Sequence, residues 1–194
     1  MVSRVIMVVG FASFSGFLFG QQAAQSPAIG YEDTYQLDYM DVQGSINFTN
    51  AGFHASPTFP ARSSDICVNA YIFNPITNVP DGPLGAVLSS CCSCRVTPDS
   101  AGSITPTISG PVVVKLVATL PTPSGPPCDA TVLPKNTLAS PGGYASGMRA
   151  WTISQPTVLS DQLSTSKFIN VALGNTEQTK LTQLCAAAPK CSCH

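Results

Sequence analysis

Two cysteine clusters are the residues whose types and spacing could do chemistry: Cys91-Cys92-Ser93-Cys94 in mid-chain and Cys191-Ser192-Cys193-His194 at the end. Cys91 and Cys94 have the spacing of a redox pair or of half a zinc site. A redox pair needs an exposed thiol of lowered pKa at a helix N-terminus, whereas the run from Leu84 to Val96 reads as a strand in which Cys92 crowds the pair. Zinc held by thiolates competes poorly with oxidation outside the cell. Haem attachment requires two residues between the cysteines, and the C-terminal pair has one. No cofactor and no metal centre is implied by either cluster.

Hydrolytic chemistry finds no constellation either. The two histidines are His54, in a proline-rich connector, and His194, the last residue. No Gly-x-Ser-x-Gly is present, and Asp81, Asp99 and Asp129 stand singly in turn sequences. The expectation is therefore that the protein is not an enzyme.

The N-terminus gives the cysteines a different meaning. Arg4 precedes the apolar run Val5-Ile6-Met7-Val8-Val9-Gly10-Phe11-Ala12, which continues through Phe19 and gives way to small and polar residues, as in a secretory signal peptide over 1–24. An uncleaved membrane anchor is the alternative, and the serine and glycine content of the run disfavours it. An exported chain with eight cysteines, Cys67, Cys91, Cys92, Cys94, Cys128, Cys185, Cys191 and Cys193, is expected to hold four disulfides, for which sequence alone leaves 105 connectivities open. Side chains alternate along a strand, so Cys92 and Cys94 point one way and Cys91 the other. The tail pair Cys191 and Cys193 is then expected to bridge to the mid-chain cluster, with Cys67, Cys91, Cys128 and Cys185 pairing among themselves. A vicinal Cys91–Cys92 bridge is the strained alternative.

Composition agrees with a turn-rich exported β-protein. Charged residues are only 10%, against the usual quarter, with 17 prolines and 15 glycines. The net charge is −1 and no Lys/Arg cluster exists, so neither nucleic acid nor an anionic membrane surface is an expected partner.

The elements that must position the cysteines read as strands. Ile66, Val68, Ala70 and Ile72 share one face of a strand whose other face carries Cys67, Asn69, Tyr71 and Phe73, so both faces are apolar and the strand is expected to be interior. Asn74-Pro75 ends it, and Leu84 to Val96 returns with the cluster. An edge strand is expected over Ile104 to Ile108, a buried one over Pro111 to Leu120, others over Met148 to Ile153 and Lys167 to Leu173. Trp151, the one tryptophan, is expected to anchor the core. A helix is expected from about Glu177 to Ala188, capped by Asn175 or Thr176, with Leu181, Leu184, Cys185 and Ala188 on its apolar side.

Residues 25–64 contain no cysteine and are expected to form an arm ahead of a disulfide-rich domain at 65–194. Tyr35, Leu37 and Tyr39 alternate with polar residues, as do Ile46 and Phe48, with a bend near Val42 and Gly44. Asn47-Phe48-Thr49 reads as an N-glycosylation sequon.

Several segments, among them Ile66-Cys67-Val68-Asn69-Ala70-Tyr71-Ile72-Phe73-Asn74-Pro75, Cys91-Cys92-Ser93-Cys94-Arg95-Val96-Thr97-Pro98 and Met148-Arg149-Ala150-Trp151, resemble a group of secreted eight-cysteine bacterial proteins. That group has no assigned activity, so the resemblance implies no site.

The expected fold is mostly β: a disulfide-stapled sandwich of Ig-like or Greek-key type with an N-terminal strand arm and one short C-terminal helix. The expected function is structural, as a self-assembling subunit of an extracellular fibre in which Tyr35, Leu37, Tyr39, Val42, Ile46 and Phe48 of the arm add to a neighbour's sheet. The alternative expectation is a monomeric surface module that binds carbohydrate or protein through aromatics such as Tyr144 or Phe59.

Overall fold

Long β-branched runs and period-two alternation give eleven strands and one helix among the described residues. The computed structural model describes residues 33–40, 44–52, 54–56, 59–62, 65–75, 86–108, 110–122, 128–134, 143–154 and 164–194. The signal peptide expected over 1–24 and the bend at Val42 lie outside them.

The strands are β1 (Tyr35–Met40), β2 (Gly44–Asn50), β3 (His54–Ser56), β4 (Phe59–Arg62), β5 (Ile66–Pro75), β6 (Ala86–Val96), β7 (Ala101–Ile104), β8 (Val112–Thr119), β9 (Met148–Ser154), β10 (Ser164–Lys167) and β11 (Ile169–Asn170), followed by helix α1 (Asn175–Ala187). They form a five-stranded sheet in the order β11-β1-β8-β5-β6, a four-stranded sheet in the order β10-β9-β2-β7, and a separate β3-β4 ribbon. All strand pairs are antiparallel, and β8 returns to the free side of β5 by way of β7 in the other sheet, a Greek-key connection.

The two sheets face each other across one core. Met40, Val68, Ile72, Val114 and Leu116 of the larger sheet meet Ile46, Phe48, Ile104 and Met148 of the smaller. The architecture is a disulfide-stapled β-sandwich. Gly102 marks one close contact, because a Cβ there would stand 2.6 Å from the Phe48 ring across the ladder.

A second core lies on the outer face of the larger sheet, where Tyr71, Phe73, Val117 and Cys91 pack against Leu181 and Cys185 of α1 and against Ala130, Leu133 and Tyr144. β5 is thus covered on both faces, which is why its sequence is apolar on both. Asn69, in the middle of that strand, is fully buried and satisfied: its Nδ2 donates to Val117 O at 3.1 Å and Thr119 Oγ1 at 3.0 Å, while Ser93 Oγ donates to its Oδ1 at 2.6 Å.

Several expectations change at the element ends. The edge strand expected at Ile104 to Ile108 is β7, three residues earlier, because Pro106 supplies no ladder donor. The single strand expected over Lys167 to Leu173 is two, with Phe168 turning into the main core where the chain passes from the smaller sheet to the larger. The N-cap of α1 is Gly174, without a side-chain cap, rather than Asn175 or Thr176. Its buried seam is Gln178, Leu181 and Cys185, and Leu184 falls on the solvent side of it.

Candidate functional site

Three regions carry the residues singled out by the sequence: the cysteine hub, the N-terminal strands and the outer face of the smaller sheet.

All eight cysteines are bonded, as Cys67–Cys128, Cys91–Cys185, Cys92–Cys191 and Cys94–Cys193. The alternation along β6 decides this division. Cys91 faces outward to the helix, and its bridge closes the second core. Cys92 and Cys94 face the other way and take the two tail cysteines, tying Lys190 to His194 across the rim of the sandwich. Cys91 and Cys94, the pair with redox spacing, have different partners. The tail also pairs through its backbone. Cys91 N donates to Pro189 O at 3.0 Å and Cys191 N to Cys91 O at 3.1 Å, while Ser103 and His194 exchange two bonds of 2.9 Å. Lys190 Nζ donates to Cys185 O at 2.6 Å and sits 3.3 Å from the sulfurs of both Cys91 and Cys185. A shallow cleft of about 240 Å³ runs beside this hub, lined by Ser93, Asp129, Lys190 and Cys193 among others. Asp129 accepts from the backbone N and the hydroxyl of Thr131, as a turn residue does.

Within 25–64, the described strands β1 and β2 pair with later strands of the chain. β1 lies between β11 and β8, and β2 lies between β9 and β7. Ile46 and Phe48 are fully buried and Tyr35 nearly so. Burial, with the Glu177 charge adding to it, raises the Tyr35 phenol above its ordinary pKa. Leu37 is half-buried and Tyr39 exposed on the outer face of the larger sheet. Asp38 faces the smaller sheet, where its carboxylate accepts from Thr152 Oγ1 and Ser166 Oγ at 3.1 Å each. Asp33, just before β1, holds a left-handed φ of 67° and is paired with Arg149 of β9 and Asn170 of β11.

Comparison with protein-family models, with curated proteins and with solved structures finds no match. Geometry alone therefore identifies the surfaces.

Trp151 departs from its expected place. Met148, Ala150 and Thr152 take the inward positions of β9, which leaves Arg149, Trp151 and Ile153 on the outer face with Trp151 half-exposed. Its ladder partners are Asn47 on one side and Lys167 on the other. Asn47 is half-buried on the same outward face, with Nδ2 donating to Ser45 Oγ at 3.0 Å. The period-two phase of β9 could have placed Trp151, since Met148, Ala150 and Thr152 take the positions that face the larger sheet.

The aromatics expected to serve a binding loop are differently placed. Tyr144 is buried, bridges to Thr119 and has its phenol pKa raised by that burial. The side chain of Phe59 lies outside the described residues, as does that of His54. Among the described residues no helix is long and apolar enough to cross a membrane.

Proposed function

We propose that the protein is an exported structural subunit that associates with copies of itself by extending its larger sheet edge to edge. One observation carries this: of the six exposed large apolar side chains among the described residues, four lie at the two ends of that sheet, the other two being Val132 and Leu184. Tyr39 (53% exposed), Ile169 (66%) and Val171 (39%) lie on β1 and along the β11 edge, and Val87 (54%) lies on β6 at the opposite edge. β11 and β6 are the terminal strands of the same sheet, each with a strand partner on one side only among the described residues. Joining the β6 edge of one copy to the β11 edge of the next is heterologous and does not close, so it propagates as a fibre. Low charge removes the repulsion that keeps such edges apart.

This route leaves the N-terminal strands in place. Adding the arm to a neighbour would require breaking the ladders that β1 and β2 make in their own chain, while addition at the Ala86–Ser90 end of β6, ahead of Cys91 where the C-terminal tail pairs, breaks none. Four disulfides suit a subunit that must hold its shape under load outside the cell.

Light scattering and electron microscopy of the mature, oxidised protein test the proposal. Concentration-dependent growth into elongated particles is expected, with Ile169→Lys and Val87→Lys each returning the protein to monomers. A wild-type protein that stays monomeric at high concentration would refute it.

The outward position of Trp151 favours a second reading, a carbohydrate-binding surface. A half-exposed indole on a flat sheet, beside Asn47, Arg149 and Lys167, offers a stacking platform with hydrogen-bonding groups around it. Glycan-array binding that Trp151→Ala abolishes, in a protein that remains monomeric, would select this reading over the fibre.

A further inference from the structure

The C-terminal tail closes the side of the sandwich where β6 and β7 would otherwise both present unpaired edges. Its backbone bonds fall on Cys91 at the β6 edge and on Ser103 at the β7 edge, so six residues from Pro189 to His194 span both sheets. Little apolar burial holds them there. Ser192, Cys193 and His194 are exposed and Cys191 is half-buried. The grip is covalent, through Cys92–Cys191 and Cys94–Cys193.

These two bridges differ in access. The Cys94–Cys193 bridge has one exposed residue, Cys193, whereas Cys92 is buried and Cys191 half-buried. The sulfurs of Cys92, Cys94 and Cys193 nevertheless lie within 4.8 Å of one another. A thiolate released at Cys94 would therefore form beside a disulfide sulfur that solvent reaches poorly. The other two bridges are less open, since Cys91 and Cys185 are fully buried in the second core, and in Cys67–Cys128 the more accessible member, Cys128, is only half-buried.

We infer that the tail is a redox-released strap, opened by an external dithiol at Cys94–Cys193 and freed by exchange at Cys92–Cys191. In the first step a dithiol thiolate attacks Cys193 Sγ, the Cys94–Cys193 bond breaks, and Cys94 leaves as a thiolate. The second thiol of the reagent then displaces Cys193 as a thiol, so the reagent becomes a disulfide and the protein gains two electrons and one proton, Cys94 remaining a thiolate. In the next step the Cys94 thiolate attacks Cys92 Sγ, a Cys92–Cys94 bond forms, and Cys191 leaves as a thiolate that takes up a proton. This exchange consumes no further reductant. The tail beyond Lys190 is then held by backbone bonds alone, and the β6 and β7 edges open to strand pairing. Release of the strap does not rest on the fibre proposal; only the use of the opened β6 edge does.

Limited reduction of the oxidised full-length protein with one equivalent of dithiothreitol, followed by alkylation and peptide mapping, tests it. Alkylated Cys191 and Cys193, a new Cys92–Cys94 linkage, and intact Cys67–Cys128 and Cys91–Cys185 bridges are expected. Hydrogen exchange should show the Ser103, Cys191 and His194 amides losing protection while β5 and β8 keep theirs. Replacing Cys94 and Cys193 together by serine removes the attacking thiolate. That variant should need about tenfold more reagent to open Cys92–Cys191, as expected when an intramolecular attack is replaced by an intermolecular one. First labelling at Cys67, Cys128, Cys91 or Cys185, labels confined to Cys94 and Cys193, or a double variant as sensitive as wild type would each overturn the inference. Particle size measured on the same samples reports on assembly separately, so failure of the fibre proposal leaves the strap result readable.

Discussion

The N-terminal strands and the C-terminal tail are both short, peripheral in sequence and packed onto the same two sheets, yet they are held by opposite means. β1 and β2 occupy interior positions, paired on both sides, with Ile46, Phe48 and Met40 in the main core. They carry no cysteine. The tail lies along the rim of the sandwich, buries almost nothing, and carries two cysteines in four residues. Burial of apolar area can replace a staple, and a staple can replace burial, but a segment with neither would fray.

The largest effect should come from emptying the interior of β2. Phe48→Ala removes a fully buried ring packed over Gly102 and should cost about 3–5 kcal/mol in denaturant unfolding. A cost below about 1 kcal/mol would mean that β2 does not contribute to the core as described.

Removing the tail's outer staple should cost less than its span in sequence suggests. Cys94 and Cys193 are separated by 99 residues, a loop that in isolation would stabilise by nearly 5 kcal/mol. Cys92–Cys191 already closes that loop, so the second bridge closes only a ring of a few residues, worth about 2 kcal/mol on the same relation. Paired serine substitution at Cys94 and Cys193, measured in urea, checks this; a loss near 5 kcal/mol would contradict it.

A smaller effect concerns alkaline pH and reads the second core, to which β1 contributes Tyr35. Burial raises the phenol pKa of Tyr35, Tyr71 and Tyr144 above the ordinary value of 10.0, helped by Glu177 at Tyr35 and by Tyr144 and Asp129 at Tyr71. Tyr71 also donates to Ala130 O at 2.7 Å. The folded state thus favours the neutral phenol. The resulting stability is fully present below pH 10 and is lost as pH climbs from there towards the raised folded values. Phenolate absorbance should show these three tyrosines ionising only as the protein unfolds, whereas early ionisation of Tyr35 would loosen β1 from the structure described.

Much of this was legible in the chain. The three consecutive valines Val112, Val113 and Val114 mark β8, the two apolar faces of β5 announce its double covering, and alternation sorts Cys91 from Cys92 and Cys94. Less was legible where only tertiary context decides. The alternation of Tyr35, Leu37 and Tyr39 is the same whether a strand pairs in its own sheet or in a neighbour's, so it could not place β1 between β8 and β11. Size favours an inward Trp151, but the phase set by Met148, Ala150 and Thr152 turns it outward. Leu184 misled in the same way, because the helix seam is centred on Leu181 and Cys185.

The central claim is that β1 and β2 are integral to the sandwich of their own chain. Deleting Gln21 to Ser64 tests it most directly, because β7 and β11 then lose their strand partner and β8 and β9 one of their two, while all four disulfides remain available. The account predicts a chain without cooperative unfolding or dispersed amide signals. A folded, monomeric core from Asp65 onward, with native disulfides and a sharp thermal transition, would contradict it.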